Sequence, residues 1–140
     1  SEITASHTSD LDTVSAIGDG KEPKWSSGKD VPRWTSRPQL GTSQWVEAEF
    51  TEPKKVRDIG VYWMQDQQDV KFPKAWSLEV RKNGKWQHFE LYVTDRYDNR
   101  ANQYNVIHPA SPLTCDAIRI NMTPQENSAV GILEVKVAFE

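Results

Sequence analysis

Three tryptophans stand where a flat ring could meet a ligand. Trp25 and Trp34 lie in the stretch Gly18–Leu40, where Gly, Pro, Lys and Arg follow no clear period. Trp63 ends an alternating segment and opens the polar stretch Met64–Lys71. The apolar face of a pyranose stacks on such a ring, while its hydroxyls need planar or forked hydrogen-bonding partners. The polar stretches supply these in Arg33, Arg37, Asp66, Gln67, Gln68, Asp69, Asn102 and Gln103. Such groups can bridge vicinal hydroxyls. The expected sugar-binding set is Trp25, Trp34 and Trp63 as stacking rings, with Arg37, Asp66, Gln68 and Asn102 as hydroxyl partners. A shallow polar rim floored by aromatics binds a ligand without breaking its bonds.

Catalytic spacings are missing. His7, His88 and His108 form no HExxH pattern, and neither a GxSxG elbow nor a glycine-rich phosphate loop occurs. The twenty acids contain no pair that the sequence singles out for general acid–base work. The acids do offer a cation site. Calcium takes six to eight oxygens from carboxylates and backbone carbonyls. Asp19-Gly20 and Asp30 lie in the irregular stretch, and Glu134 lies on the last alternating segment, out of phase with its apolar residues. A calcium ion held by Asp19, Asp30 and Glu134 would tie the long loop to that strand.

The elements that must position these residues alternate with period two. Val46, Ala48 and Phe50 share one face of Gln44–Phe50, and Ile59, Val61 and Trp63 share one face of Val56–Trp63. Trp76, Leu78 and Val80 do so in Ala75–Arg81, with Trp86–Val93, Tyr104–His108, Ala117–Thr123 and Gly131–Phe139 completing the set. Trp45 and Trp86 are expected as half-buried parts of the sheets. Asn83-Gly84 predicts a hairpin turn, since both residues tolerate positive φ. Glu52-Pro53, Phe72-Pro73, His108-Pro109, Ser111-Pro112 and Thr123-Pro124 mark strand ends, because proline cannot donate to a ladder. Many short strands with turn chemistry between them predict an antiparallel sandwich or barrel. The first forty residues are expected to be largely irregular, and long loops of this kind are usually functional or tied down.

The 140 residues fit one domain, 1–140. Fourteen aromatics argue against disorder. The net charge of −3 argues against a nucleic-acid module and makes an anionic membrane a poor partner. One cysteine, Cys115, excludes an intrachain disulfide and a cysteine-based zinc site. The chain starts at Ser1 with no charged-then-apolar leader, which suggests a processed product or an excised domain. Asn121-Met122-Thr123 fits the glycosylation acceptor pattern, a triplet frequent by chance.

A family pattern runs through these residues. Ile3-Thr4-Ala5-Ser6, Ala16-Ile17-Gly18-Asp19-Gly20, Trp34-Thr35-Ser36, Gln44–Phe50, Pro53 with Val56 and Ile59, and Gly131–Val135 follow in order. Together they resemble the discoidin family, also called the coagulation-factor 5/8 type C family, which includes the family 32 carbohydrate-binding modules. Pro32–Thr35, Gly41–Val46 and Val61–Trp63 are most similar to bacterial modules appended to large secreted glycoside hydrolases, such as β-L-arabinofuranosidase-type enzymes. The resemblance implies an all-β, eight-stranded antiparallel jelly-roll sandwich with ligand loops at one end and a structural calcium ion near them. By position, Asp19 and Glu134 match the family's acidic calcium ligands, with Asp30 a weaker match. Pro23 or Pro32 replaces the family's threonine before the loop tryptophan. Thr35 and the Met64–Asp66 region stand where galactose binders carry a histidine and an arginine, so the galactose signature does not carry over. Phospholipid binders expose apolar spikes, for which Trp25, Leu40 and Met64 are the counterparts. The expected function is a non-catalytic carbohydrate-binding module of a secreted, periplasmic or cell-surface bacterial glycoside hydrolase. The alternative is a structural accessory domain that packs on the catalytic domain and binds nothing.

Overall fold

The alternating segments form strands, as burying one face of each demands. The computed structural model describes residues 2–140. Its strands are β1 (Glu2–Ala5), β2 (Trp34–Thr35), β3 (Gln44–Trp63), β4 (Ala75–Lys82), β5 (Lys85–His88), β6 (Asn105–Ile107), β7 (Leu113–Thr123) and β8 (Gly131–Phe139). All pairings between them are antiparallel. The fold is an antiparallel jelly-roll sandwich, and β3 belongs to both of its layers. Its first part, Gln44–Glu49, lies between β1 and β7, in a five-stranded layer continued by β4 and β5. Its second part, Val56–Trp63, lies between β6 and β8, with β2 on the far edge of β8.

Two segments expected as separate strands are thus one. The register on β7 moves from Glu49 opposite Ala117 to Lys54 opposite Cys115. Pro53 falls in the bulge between them, where a nitrogen without a proton loses no ladder bond. Glu52-Pro53 therefore marks a bend and does not end the strand. Elsewhere, Trp86–Val93 shrinks to β5: after His88 the chain keeps one bond to β4, from the Phe89 N–H to Leu78 O at 3.1 Å, and an isolated bridge from Leu91 to Pro109. The hairpin turn is as expected: Asn83 has φ 52° and Gly84 φ 76°.

The inward faces meet in one core. Val46, Leu78, Val80, Ile118, Ile120 and Met122 come from one layer, and Ile59, Val61, Trp63 and Ile132 from the other. Cys115 is buried there, and burial pushes its thiol up to about 11. A short 3-10 helix, Val14–Gly18, buries Ala16 and Ile17 against the sandwich. The first forty residues therefore hold two strands and a helix that periodicity could not reveal, since each is too short to repeat a pattern. Between the layers, beside β1, an apolar cleft of about 440 Å³ remains, lined by Ile3, Val46, Phe50, Ile118, Val137 and Phe139.

Trp34 pairs with Ile132 at the β2–β8 edge and is 0% exposed. Its indole N–H donates to His7 O at 2.9 Å. Trp34→Ala is expected to cost about 3–5 kcal/mol, as for other buried aromatics. Urea unfolding measures this, and a loss below about 1 kcal/mol would place the indole outside the core.

Candidate functional site

The long loops do converge, and Ser26 is where they meet. Its side chain is short enough to be fully buried between them. The Ser26 N–H donates to Asn102 Oδ1 at 2.8 Å, and the Asn102 N–H donates back to Ser26 Oγ at 2.8 Å. The Gln65 N–H donates to Ser26 O at 3.0 Å. One residue thereby clasps the segment after Gly20, the loop after β3 and the loop before β6. Asn102 adopts φ 62°, a left-handed conformation that asparagine tolerates well. Trp25 precedes the clasp, in a turn closed by the Gly28 N–H on Trp25 O at 2.9 Å, and its side chain is 61% exposed.

A second clasp joins the loop after β2 to the loop after β3. Arg37 Nε donates to Asp69 Oδ1 at 2.6 Å, and its Nη2 pairs with Asp66. Asp66 Oδ1 in turn accepts the N–H groups of Gln68 at 2.9 Å and Val70 at 3.0 Å. Charge-assisted bonds of this kind hold loop shape in partial exposure. Arg37, Asp66 and Asn102 are therefore committed to positioning the loops. Gln68 is exposed beside them.

The other two stacking candidates are corrected. Trp34 and Trp63 are both 0% exposed and offer no face to a sugar. Trp63 packs edge-on against Trp76 at 5.2 Å, and its indole N–H has no partner among the described residues. For Trp34 the irregular sequence around it concealed this, because a distant strand buries it; Trp63 follows the apolar face of Ile59 and Val61, and only the polar stretch after it suggested an open ring. Of the three rings, only Trp25 is accessible. Ser26 and Gln65, which hold its segment, carry no sequence signal beyond being small or polar.

The acidic residues divide. Glu134 lies opposite Tyr62 on β8 and is 2% exposed. Its Oε2 accepts the Gly20 N–H at 2.8 Å, while Oε1 has no partner among the described residues. Burial, partly offset by the Gly20 bond and reinforced by Asp19, pushes its carboxyl up to about 7. Asp19 is thus the neighbour the sequence placed beside it. Asp30 does not join them: it lies at the Trp25 turn, where its Oδ1 would be 3.0 Å from a Cβ on Gly28. No group of three acids, histidines or cysteines able to hold a metal occurs among the described residues. A buried carboxylate with an orphaned oxygen, next to a second carboxylate, nevertheless fits a cation completed by other oxygens. Beyond this pair, Glu22 accepts the Tyr104 hydroxyl at 2.7 Å and pairs with Lys136, which with Tyr104 holds its carboxyl below the ordinary range.

Residues 2–135 match the model of the F5/8 type C domain. The chain belongs to the F5/8 type C family. Among solved structures, this F5/8 type C domain is similar to a chain of the β-galactosidase BgaA of Streptococcus pneumoniae, with 21% identity over 96% of this chain and 89% of that one, and a TM-score of 0.77. It is similar to the family 32 carbohydrate-binding module of NanJ from C. perfringens, solved with galactose: 17% identity, 99% and 93% covered, TM-score 0.73. It is also similar to chitosan-binding module 1 of a chitosanase/glucanase from Paenibacillus sp. IK-5: 16% identity, 98% and 93% covered, TM-score 0.71. At these identities the likeness is one of fold, and it agrees with the discoidin-like sandwich. No curated protein matches the chain.

Glu134 makes a pH prediction. Its folded pKa, about 7, lies above the ordinary 4.5. Between those values the native state keeps a proton that the unfolded chain releases, so stability falls as pH rises through that window and stays low above it. In chelator, Glu134→Gln should flatten that part of the stability–pH curve and raise the melting temperature at pH values above the window. An unchanged curve would mean that the carboxyl is not strained in the metal-free fold.

Proposed function

We propose that this F5/8 type C domain is a non-catalytic carbohydrate-binding module, with Trp25 as its stacking platform. One observation carries the reading: the only accessible ring of the expected set projects from the point where three loops are hydrogen-bonded together. A flat apolar ring ordered by Ser26 and Asn102 meets a pyranose face with little loss of side-chain freedom. Gln68 supplies an exposed amide on the loop after β3, which Gln65 ties to Ser26. Arg37, Asp66 and Asn102 act by holding the loop frame. Support also comes from the family, in which similar modules include one solved with galactose and one named as chitosan-binding.

In this reading the module is part of a secreted or cell-surface bacterial glycoside hydrolase and raises the local concentration of that enzyme at its glycan. The parent link rests on similarity to modules of a β-galactosidase and a chitosanase/glucanase. Asp19 and Glu134, with further oxygens, hold a structural calcium ion that neutralises the buried carboxylate and fixes the Gly20 segment to β8. A second reading, docking on a neighbouring domain without a ligand, is favoured by the apolar cleft beside β1.

Trp25→Ala should abolish retention on the polysaccharide that wild type binds in an affinity-electrophoresis screen of plant and host glycans, with an unchanged melting temperature. Wild type that binds no glycan at millimolar concentration would leave only the docking reading. For the metal, calcium should raise the melting temperature of wild type, since it binds the folded state alone. Asp19→Asn and Glu134→Gln should remove that gain. A wild type indifferent to both calcium and chelator would end the metal proposal.

A further inference from the structure

The outer face of the five-stranded layer carries features that the loop site does not use. The pairing sets two rows of outward side chains across β3, β7 and β4. One row is Trp45, Asn121 and Ser77; its neighbour toward the strand ends runs from Ser43, just before β3, through Thr123 to Ala75. Five of these six residues are short. They leave a groove of about 410 Å³ with Trp45 at its side, lined in addition by the buried Gln44, Trp76 and Met122.

The ring is held upright from the opposite side. Arg119 lies two residues along β7 from Asn121, away from the groove. Its guanidinium sits 5.0 Å from the Trp45 ring and 4.5 Å from the Trp86 ring. Glu47 accepts from both its Nε and Nη2, at 2.9 and 2.7 Å. A cation held between two indoles covers one face of Trp45 and fixes the ring. The same ring lines the groove together with the row of short side chains. Asn121 is fixed too, since its Nδ2 donates to Glu79 Oε1 at 2.8 Å. Its Oδ1 remains as an oriented acceptor beside the Ser43, Ser77 and Thr123 hydroxyls.

We propose that this groove is a second saccharide subsite, on the outer face of the five-stranded layer, for a neutral hexose residue. The lining holds no charged side chain, which disfavours an anionic or cationic ligand. An indole face set against an amide and three hydroxyls matches the two-sided chemistry of a pyranose, apolar on one face and hydroxylated at the rim. A protein partner would instead want a wider apolar patch. The segment that carries Trp25 is tied to the other layer, where Val31 and Tyr104 pack on Tyr62 and Leu133. The two sites therefore serve different faces of the sandwich, and two separated weak contacts to one glycan chain multiply into avidity. The inference rests on the saccharide reading of the domain but on none of the loop residues.

Amide and indole NMR of the labelled domain, titrated with lactose, cellobiose and mannobiose to millimolar concentration, tests it. The expected result is a shift of the Trp45 indole N–H and of the Asn121 side-chain amide with at least one disaccharide. The response should persist in Trp25→Ala. It should be lost in Thr123→Arg, which fills the groove from an exposed position and keeps Trp45 in the sheet. Trp45→Ala should lose it too, and Thr123→Arg covers the case where that variant loosens the sheet. No shift at Trp45 and Asn121 with any of the three sugars, or a shift that survives Thr123→Arg, overturns the second subsite. Loss of response at Trp25 alone would count against the loop site and leave the groove standing.

Discussion

The sandwich depends on one strand that serves two layers. Gln44–Glu49 and Val56–Trp63 are the two halves of β3, and each half has a full set of antiparallel partners. The constraint is backbone hydrogen bonding: the strand bends where a few residues go unpaired. Those residues are Phe50–Pro53, a proline among them has no N–H to leave unpaired, and β7 pairs with β3 on both sides of them. Because β3 is continuous, the start of its first half and the end of its second are fixed relative to both layers. The loops that follow β2, β3 and β7 are thereby delivered to defined places before any loop–loop contact forms.

Loop–loop contacts then consume much of the polar chemistry that looked available for a ligand. Ser26 is buried because three backbone segments need a common partner, and Asn102 meets that need with both its amide N–H and its side-chain oxygen. Arg37 closes on two carboxylates for a related reason: loops carrying unlike charges stay together when the charges pair at short range. What remains free is the part with no hydrogen-bonding capacity to spend on its neighbours, the flat face of Trp25. Order in the frame and exposure of the ring are two outcomes of the same arrangement.

The acidic pair beside this frame follows from a different imbalance. Glu134 alternates away from the core of β8, but the Gly20 segment closes over it, leaving one oxygen bonded and one orphaned. Burying a carboxylate in that state is unfavourable, and a neighbouring Asp19 worsens it. A cation bound there would resolve both problems at once. On the opposite layer, Arg119 shows the satisfied counterpart, a half-buried charge on the outer face with a carboxylate at its edge and the Trp45 and Trp86 rings beside it.

Much of the framework was legible from residue order. Alternation at Val46–Phe50, Ile59–Trp63 and Trp76–Val80 determined which faces are buried, and Asn83-Gly84 determined the hairpin, because these depend on local geometry and on a period of two; on β8 a register shift breaks the period, so that Ile132 joins the main core while Leu133 packs with Tyr62. The order of short motifs from Ile3 to Val135 determined the family. Only the tertiary structure decided that Trp34 is core while Trp25 is open, that Trp63 at the end of its apolar face offers no surface to a ligand, that Asn102 and Arg37 hold loops together, and that Asp19 but not Asp30 adjoins Glu134. Burial of a loop residue is set by which distant strand it meets, and hydrogen-bond partners in loops are chosen across dozens of residues. Neither leaves a periodic trace in the chain, so side chains of the same type in similar sequence settings take opposite roles once the two layers close.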